Sequence, residues 1–517
     1  MPSFRLINRL GMLAGLFTLV GATGIPALPT AAYAQIEITT VVLTGDPAPG
    51  TDARFRGLGV PVINAHGQTA FVGFLAGSGV DGPYNGGLWS GSKDALRLVA
   101  RAGEAVPGTE VRYGFIGTPD LSATEAIAVR GFVEGEGVTR SNSESIWSGT
   151  TDGFTLVARE GNRAPGTEAR FTEFFPPALS RADQPVFWGK LAGAGVTAHN
   201  DEGIWSGSED SLRLVIREGD PAPGTEARYG SLSSPAVNHA GQFAFRGALT
   251  GPGVDSDNQR GMWVGFPDAL QLVARWGAAA PGTEAVFDTF GVPMLNENGQ
   301  IAFVGSLRGE RMDASNNTGI WMGTPGMLEL VAQSGQDAPG TDLPYRGFLA
   351  PVLGDAGQLA FIAGLGGDGI TDRSQFGIWA GPPDSLRLIA RRGDTAPGTN
   401  AQFDLFLTTP VVNAAGQAAF LASIKGVGAT EELHPGLWGV TREGDVKLIA
   451  LKGQPFDVSD DPHRPDLRTV ESIKLMPSNA AVRGMFNAFN NQGQITFRLT
   501  FTNNTAGIFI ANLGGVP

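Results

Sequence analysis

The 517-residue chain contains no cysteine and only five histidines. The absence of cysteine excludes disulfides, thiol nucleophiles, lipid attachment through a thiol and metal sites built on thiolates. Recognised catalytic motifs are also absent: there is no Gly-x-Ser-x-Gly, no His-Glu-x-x-His and no phosphate-binding P-loop. The enzyme chemistry left open is a pair of carboxylates drawn from distant parts of the chain, as in glycoside hydrolysis.

Long hydrophobic runs are absent too, and a bilayer span needs about 20 apolar residues. Residues 10–20 form a short apolar run that follows Arg5 and Arg9, and Ala32-Tyr33-Ala34 comes shortly before Gln35. This is the pattern of a secretory signal peptide. We therefore expect residues 1–34 to be removed, and the mature chain to be periplasmic or extracellular with no integral membrane segment.

Positive charge is scarce, with 37 Lys and Arg against 50 Asp and Glu and a formal net charge of −13. Nucleic acid and anionic membrane surfaces attract positive charge. We therefore expect neither as a partner. A protein or a carbohydrate ligand stays open, and we expect a monomer.

Glycine is abundant, with 75 residues, about twice the ordinary share of about 7 %. Three sequence markers recur in register about every 58 residues over the whole mature chain. The first is a Trp after Gly or Ser and an aliphatic residue, at Trp89, Trp147, Trp205, Trp263, Trp321, Trp379 and Trp438, with Phe509 in the eighth place. The second is Pro-Gly-Thr, beginning at Pro49, Pro107, Pro165, Pro223, Pro281, Pro339 and Pro397. The third is Asn-x-x-Gly-x-x-Ala-Phe, beginning at Asn64, Asn238, Asn296 and Asn413 and, with Thr in place of Ala, at Asn490.

Each repeat is predicted to form four short strands. In the fourth repeat these are residues 227–237, 242–249, 261–264 and 270–275, with a hairpin turn at 238–241. Apolar and polar residues alternate from Gln242 to Arg246, as expected for a half-buried strand. Four antiparallel strands in a repeat are typical of a β-propeller blade.

The two ends of the chain indicate a closed ring. Residues 36–43 match the fourth strand of a repeat, whereas the last repeat stops after its third strand at 507–510. An open array would leave both edges free to pair. We therefore predict an all-β fold, an eight-bladed β-propeller spanning residues 35–517 as one domain, closed by the N-terminal strand.

The repeat resembles that of exported bacterial tandem-repeat proteins named for Asn-x-x-Gly-x-x-Ala-Phe. The resemblance extends over nearly the whole mature chain and includes Gly-Asp-Pro-Ala-Pro-Gly-Thr at 45–51 and 219–225. It implies a propeller-like fold and no established activity, so it assigns no functional residue. Some members bear C-terminal anchors. Residues 511–517 show no such tail, so we expect a freely soluble product.

Most repeated residues are expected to serve the fold. The Trp and Phe markers should form the core between blades, the Asn should cap its hairpin turn, and Pro-Gly-Thr should guide the chain from the outermost strand of one blade to the innermost strand of the next. Phe and Tyr alternate at the start of the innermost strand. This alternation indicates duplication of a two-blade unit, or alternatively tyrosine hydroxyls at the channel mouth. The residues concerned are Phe55, Tyr113, Phe171, Tyr229, Phe287, Tyr345 and Phe403.

Candidate binding residues come from loops that differ between blades. The crossover loops carry acids at one equivalent position, at Asp46, Glu104, Asp220 and Asp394. The last blade has an insertion at about 457–486 that includes Asp460, Asp461 and His463. We expect this insertion to emerge beside the channel mouth. The alternative is that it forms a lid or an extra strand over the closure of the ring. Oxygen ligands of this kind suit Ca²⁺ or a sugar, but no Asp-x-Asp-x-Asp-Gly loop is present, so we expect no bound cofactor or metal.

The sequence therefore favours an exported propeller that acts as a binding or interaction module for a glycan or a protein. The alternative is a carbohydrate-active hydrolase or lyase with its site in the axial funnel.

Overall fold

The chain folds into eight antiparallel β-sheets, one per repeat, in a computed structural model that describes residues 36–77, 80, 85–180, 182–367, 375–426, 434–476 and 488–514. The expected signal peptide at 1–34 and the second part of the insertion, 477–486, lie outside the described residues. Helical structure within them is limited to two 3-10 turns, Lys93–Ala95 and Pro383–Ser385, so they contain no helix long and apolar enough to cross a membrane.

The strands are numbered along the chain, and the first, β1, is Glu37–Leu43. Blade 1 contains β2 to β6, and blade 2 contains β7 to β11: Arg54–Leu58, Val62–Ile63, Thr69–Ala76, Gly86–Gly91, Arg97–Arg101; Arg112–Ile116, Asp120–Leu121, Ile127–Glu134, Glu144–Thr150, Gly153–Arg159. Blade 3 contains β12 to β16, and blade 4 contains β17 to β21: Arg170–Phe174, Ala178–Leu179, Pro185–Ala192, Glu202–Ser206, Arg213–Arg217; Arg228–Leu232, Ala236–Val237, Phe243–Thr250, Arg260–Gly265, Gln271–Arg275.

Blade 5 contains β22 to β26, and blade 6 contains β27 to β31: Val286–Phe290, Met294–Leu295, Ile301–Arg308, Thr318–Thr324, Met327–Gln333; Tyr345–Phe348, Val352–Leu353, Leu359–Leu365, Phe376–Gly381, Arg387–Arg391. Blade 7 contains β32 to β36, and blade 8 contains β37 to β40 together with β1: Ala401–Phe406, Val411–Val412, Ala418–Gly426, His434–Val440, Val446–Leu451; Pro455–Asp457, Leu467–Lys474, Gln494–Phe501, Ala506–Asn512.

Each predicted strand of blade 4 is present, but the innermost one is divided. Instead of one strand over residues 227–237, β17 pairs with one end of β19 and β18 with the other. The register shifts between Tyr229 and Ser231, which is the mark of a β-bulge. The bulge bends the innermost strand, and the same division recurs in blades 1–7.

The blades form a closed ring around the short inner strands. Each of β3, β8, β13, β18, β23 and β28 contacts its counterpart in the next blade, and β39 of blade 8 contacts β3 of blade 1. At the closure, β1 pairs antiparallel with β40, from Glu37 with Asn512 to Leu43 with Gly507. The predicted eight-bladed propeller closed by the N-terminal strand is confirmed.

Repeated aromatic residues form the core, as predicted. Trp89 is fully buried, and the ring of Phe55 meets it edge-on at 4.8 Å between centroids. Its indole Nε1 donates to the carbonyl of Pro49 at 3.0 Å. A Cβ added to Gly87 would lie 2.6 Å from the Trp89 ring, so glycine at this position gives the indole its space.

Pro-Gly-Thr has the predicted structural role in the crossover. The Thr51 hydroxyl donates to the Ala48 carbonyl at 2.8 Å and accepts from the Ala53 amide at 3.1 Å. Gly50 has a φ of +80°, and a Cβ there would lie 2.9 Å from Cβ of Leu98. The crossover therefore packs against the outermost strand of the blade that it enters.

Candidate functional site

Two loop sets form one face of the ring, as expected. In blade 3 the Arg217 guanidinium, at the start of the next crossover, donates to the carbonyl of Asn200 in the loop between the second and third strands, at 2.9 Å. A groove of about 460 Å³ in blade 2 is lined by both loop types, including Glu110, Asn142 and Asn162. We call this side the crossover face.

Hydrogen bonds join neighbouring blades at the opposite end of the ring. The amide Nδ2 of the hairpin asparagine donates to the equivalent carbonyl of the next blade at 3.0–3.2 Å, at Asn64, Asn238, Asn296, Asn413 and Asn490. The last of these bonds joins blade 8 to blade 1. Asn491 of blade 8 also reaches across blade 7 to Asp355 of blade 6, at 3.0 Å. Side-chain hydrogen bonds therefore tie the blades together at the end opposite the crossover face.

The structure distributes the candidate acids of the crossovers around this face. Asp46 Oδ2 accepts from the Leu43 amide and Asp220 Oδ2 from the Arg217 amide, each at 2.8 Å. Glu104 and Asp394 are exposed. Within the described ranges, no group of three or more His, Asp or Glu residues is arranged to hold a metal ion.

The described part of the insertion is a hairpin, β37–β38, which packs over blade 8. Phe456 meets Phe509 at 5.0 Å between ring centroids, and the Val458 carbonyl accepts from the Thr40 hydroxyl at 2.9 Å. Beyond these residues, the chain turns at 459–466.

The candidate residues of this turn have local partners. Asp460 accepts from the Thr40 amide at 3.0 Å and pairs with Lys93 of blade 1, while Asp461 accepts from the His463 amide at 2.9 Å. Lys93 lies in the turn between the third and fourth strands, at the other end of the blade from the crossovers. The hairpin tip thus lies against the outermost strand of blade 8, as an extra strand covering the closure would.

The tyrosine hydroxyls lie in the core rather than at the channel mouth. Tyr113 donates to the Phe154 carbonyl at 3.1 Å, and burial raises its pKa to about 12. The hydroxyls of Tyr229 and Tyr345 are buried without a hydrogen-bond partner in the described part of the chain. The alternative of a tyrosine-lined channel mouth is therefore wrong.

Sequence reasoning missed the clefts between blades. Three positions line each cleft: one on the second strand, one at the start of the third, and one just before the crossover glycine. They are occupied by Arg130, Glu144 and Glu160 in blade 2; Trp188, Glu202 and Glu218 in blade 3; Arg246, Arg260 and Trp276 in blade 4; and Leu421, Pro435 and Lys452 in blade 7. The blade 4 set lines a cavity of about 340 Å³, and the blade 7 set lines one of about 750 Å³.

The cleft between blades 2 and 3 contains a compensated arginine. Arg130 Nη1 lies 2.9 Å from Glu144 Oε1 and donates to the Phe174 carbonyl at 2.6 Å. Glu144 Oε2 accepts from the Phe174 amide at 2.8 Å. Burial raises the pKa of Glu144, while the arginine and this amide favour its ionised form.

The cleft between blades 3 and 4 is acidic. Glu202 Oε2 accepts from the Leu232 amide at 2.7 Å, and Glu218 Oε2 accepts from the Asp201 amide at 3.1 Å. Glu218 is only 3 % exposed, and its pKa is raised to about 7, first by burial and then by Asp201 and Glu202. A carboxyl group of this kind can hold a proton at neutral pH.

The cleft between blades 4 and 5 is basic. Arg246 Nη1 donates to the Phe290 carbonyl at 2.8 Å, Arg260 is exposed at the start of β20, and Trp276 is half-buried beside them. No acidic side chain in the described ranges forms an ion pair with either guanidinium.

Comparison with known proteins identifies a family without assigning an activity. The model of DUF7453, a family of unknown function, matches residues 38–266 and again 246–517. No curated protein sequence is detectably similar to the chain.

The chain is similar to several solved structures at low sequence identity. They include the β-propeller domain of the Trilobed protease from Pyrococcus furiosus (9 % identity, TM-score 0.40, 77 % of this chain and 97 % of that one). An oligogalacturonate lyase in complex with manganese shares 11 % identity, with a TM-score of 0.39 over 80 % of this chain and 98 % of that one. A prolyl endopeptidase shares 9 % identity, with a TM-score of 0.43 over 87 % and 55 %. At this level of similarity they carry no argument about function.

Proposed function

The chain belongs to DUF7453, a family of unknown function. Because membership of this family assigns no activity, the role has to be inferred from the site itself. We propose that the protein is an exported propeller that binds a ligand on its crossover face. Export is supported by the pattern of residues 1–34. At the opposite end of the ring the hairpin asparagines are engaged in bonds between blades, which supports the crossover face as the binding side.

One observation carries the proposal: side-chain chemistry varies at the cleft positions while the frame is constant. Seven blades keep the same buried Trp and the same Pro-Gly-Thr turn. The residue before the crossover glycine changes from blade to blade, being Thr44, Ala102, Glu160, Glu218, Trp276, Ser334, Arg392 and Lys452. A rigid scaffold that presents differing side chains at equivalent places is typical of binding proteins.

We propose a glycan or a protein as the ligand, with the crossover acids at the rim of the contact. These are Asp46, Glu104, Asp220 and Asp394. We propose the exposed tip of the blade 8 hairpin, with Asp460, Asp461 and His463, as a separate secondary contact, because this tip lies beside Lys93 and therefore away from the crossovers. Ca²⁺ is proposed as an aid to this contact rather than a resident ion.

The test is binding of the chain from residue 35 onward to a glycan array, with and without Ca²⁺. Replacing the four crossover acids with Ala should weaken the retained interaction. Asp210→Ala with Asp384→Ala is the matched control, because both acids are exposed in turns at the opposite end of their blades. Equal loss in both variants would contradict a crossover-face site. For the hairpin, the variant with Asp460, Asp461 and His463 all replaced by Ala should bind the retained ligand more weakly. An unchanged affinity for that ligand and an unchanged response to Ca²⁺ would show that the hairpin only packs against blade 8.

The second candidate function is hydrolysis or elimination on a carbohydrate, and Glu218 favours it. A carboxyl with a pKa near neutrality beside ionisable acids is the arrangement of a general acid. A polysaccharide-degradation screen tests it, and Glu218→Gln should abolish any activity found. Degradation that persists in Glu218→Gln would remove this candidate.

A further inference from the structure

Blades 2 and 4 place an arginine at the same position in different electrostatic surroundings. Arg130 and Arg246 occupy equivalent places on the second strand, and each donates to the carbonyl of the equivalent phenylalanine of the next blade, Phe174 or Phe290. In blade 2 the start of the third strand supplies Glu144, which neutralises the arginine. In blade 4 the equivalent residue is Arg260, so the acid is replaced by a second base.

This replacement leaves hydrogen-bond donors unused beside a cavity. Arg246 Nε and Trp276 Nε1 are buried and have no acceptor in the described part of the chain. A buried donor without an acceptor destabilises the folded protein, because it has lost its hydrogen bonds to water. Burial and the nearby Arg260 also lower the pKa of Arg246, which shows that its charge is poorly compensated. An anion in the cavity would accept from these donors and offset both charges.

A third arginine, Arg498, occupies this position on the second strand, and its surroundings suit an anion less well. Arg498 of blade 8 donates to the Leu58 carbonyl at 2.7 Å, and its Nε is also buried without an acceptor. The other two positions of its cleft hold Ala506 and Thr44. Among the described clefts formed around these arginines, the one between blades 4 and 5 combines two guanidinium groups with an aromatic ring.

We propose that the cleft between blades 4 and 5 binds a carboxylate-bearing sugar, such as a uronate residue of an acidic glycan. The cavity of about 340 Å³ is at the lower end of the range for small-ligand sites. Arg246 and Arg260 suit a carboxylate, since guanidinium groups bind carboxylates through paired, charge-assisted hydrogen bonds. Trp276 and Phe290, 6.4 Å apart between ring centroids, offer apolar surface to a sugar ring, and Ser231 adds a hydroxyl group. This deepens the proposed function and rests on it.

Calorimetric titration of the chain from residue 35 tests the ligand class. Glucuronate should bind, whereas glucose, which has the same ring without the carboxylate, should bind at least about tenfold more weakly. Equal binding of both sugars would overturn carboxylate recognition. Phosphate that binds as tightly as glucuronate would overturn the assignment to a sugar acid.

Substitution of Arg260 tests the location. Arg260→Glu should weaken glucuronate binding by about tenfold or more, and Arg260→Gln should do so to a smaller extent. Arg260→Glu should also keep or raise the melting temperature, because it restores the arginine–glutamate pair seen in blade 2. Arg311→Gln is the matched control, since Arg311 lies in a loop of blade 5 with an 80 % exposed side chain. Glucuronate affinity unchanged by Arg260→Glu would overturn the site.

The two proposals fail in different ways. If a uronate-bearing glycan from the array is retained equally by wild type and by Arg260→Glu, and glucuronate affinity is also unchanged, binding at the crossover face stands and this cleft is excluded. If no glycan is retained but glucuronate binds and depends on Arg260, the cleft site stands and the broader face proposal fails.

Discussion

At the scale of single residues, the hairpin asparagine combines two structural roles. In blade 5, Asn296 Oδ1 accepts from the amides of Asn298 and Gln300, which caps the turn, while Nδ2 donates to the Gly354 carbonyl of blade 6 at 3.2 Å. Blade 2 separates these roles, since Ser122 accepts from two turn amides but has no Nδ2 to offer the next blade. The asparagine therefore connects the fold of one blade to the assembly of the ring.

Two substitutions at Asn296 separate these roles. Asn296→Ser should retain the turn cap, as Ser122 does, and lose the Nδ2 bonds to blade 6 and to Gln300 Oε1, at a cost of about 1 kcal/mol. Asn296→Ala should also leave the turn amides without their acceptor and cost about 2–3 kcal/mol. Denaturant unfolding measures both. Equal losses in the two variants would show that the turn cap contributes nothing, whereas an unchanged stability of Asn296→Ser would show that the bond to the next blade contributes nothing.

The sequence predicted the repeated structural residues, such as the buried Trp and the hairpin Asn, better than the residues of the clefts. Burial of Trp89 and capping by Asn296 follow from residue type and local spacing, and both were predicted. The Arg246–Arg260 cleft was not, because its residues lie on different strands and its wall includes Phe290 of the next blade. Comparing residues at equivalent positions of each repeat, Glu144 against Arg260 for example, is the signal that could have found it.

At the scale of elements, the insertion of blade 8 lengthens a hairpin that is represented by a single antiparallel bridge in each of the other crossovers. In blade 1 a single bridge joins Pro47 and Arg54, whereas in blade 8 three pairs extend from Pro455 with Thr469 to Asp457 with Leu467. The sequence predicted the extra length, but the expected emergence beside the channel mouth is wrong for the described part, which follows the alternative of an extra strand over the closure. Phe456 and Val458 are buried, so burial of apolar surface directs the hairpin over blade 8.

The strand β1 should determine whether the ring stays closed. Among the described strands it pairs with β40 alone, and it contributes the buried side chains Val41 and Val42. Burial of these two side chains accounts for about 3–6 kcal/mol. A chain that begins at residue 45 should melt at a much lower temperature than one that begins at 36. Calorimetry compares the two, and matching melting temperatures would contradict closure by β1.

At the scale of the whole molecule, the ring contains two buried carboxyl groups and a histidine whose pKa values are all raised. Burial has the largest effect on Asp120 and raises its pKa to about 6. The hydrogen bond that Asp120 Oδ2 accepts from the Leu179 amide, at 2.8 Å, opposes this shift. Burial likewise raises the pKa of Glu218 to about 7. The hydrogen bond to Glu297, 2.7 Å from Nδ1, raises the pKa of His239.

The protein should therefore be most stable in mildly acid solution. Asp120 and Glu218 bind their protons more tightly in the folded than in the unfolded chain, so their ionisation removes stability as pH rises from about 4 to about 7. The raised pKa of His239 acts in the same sense: its contribution is complete below the unfolded value of 6.5 and is lost as pH rises through the folded pKa. The formal net charge of −13 at pH 7 adds repulsion in the same direction. The lowered pKa values of the exposed Asp313 and Glu443 have the opposite sign, but these carboxyls are already ionised in most of this range.

Scanning calorimetry from pH 5 to pH 8 should show a falling melting temperature, and Asp120→Asn with Glu218→Gln should flatten that fall by several degrees. A melting temperature that rises toward pH 8, or a double variant with an unchanged slope, would contradict this origin of the pH dependence.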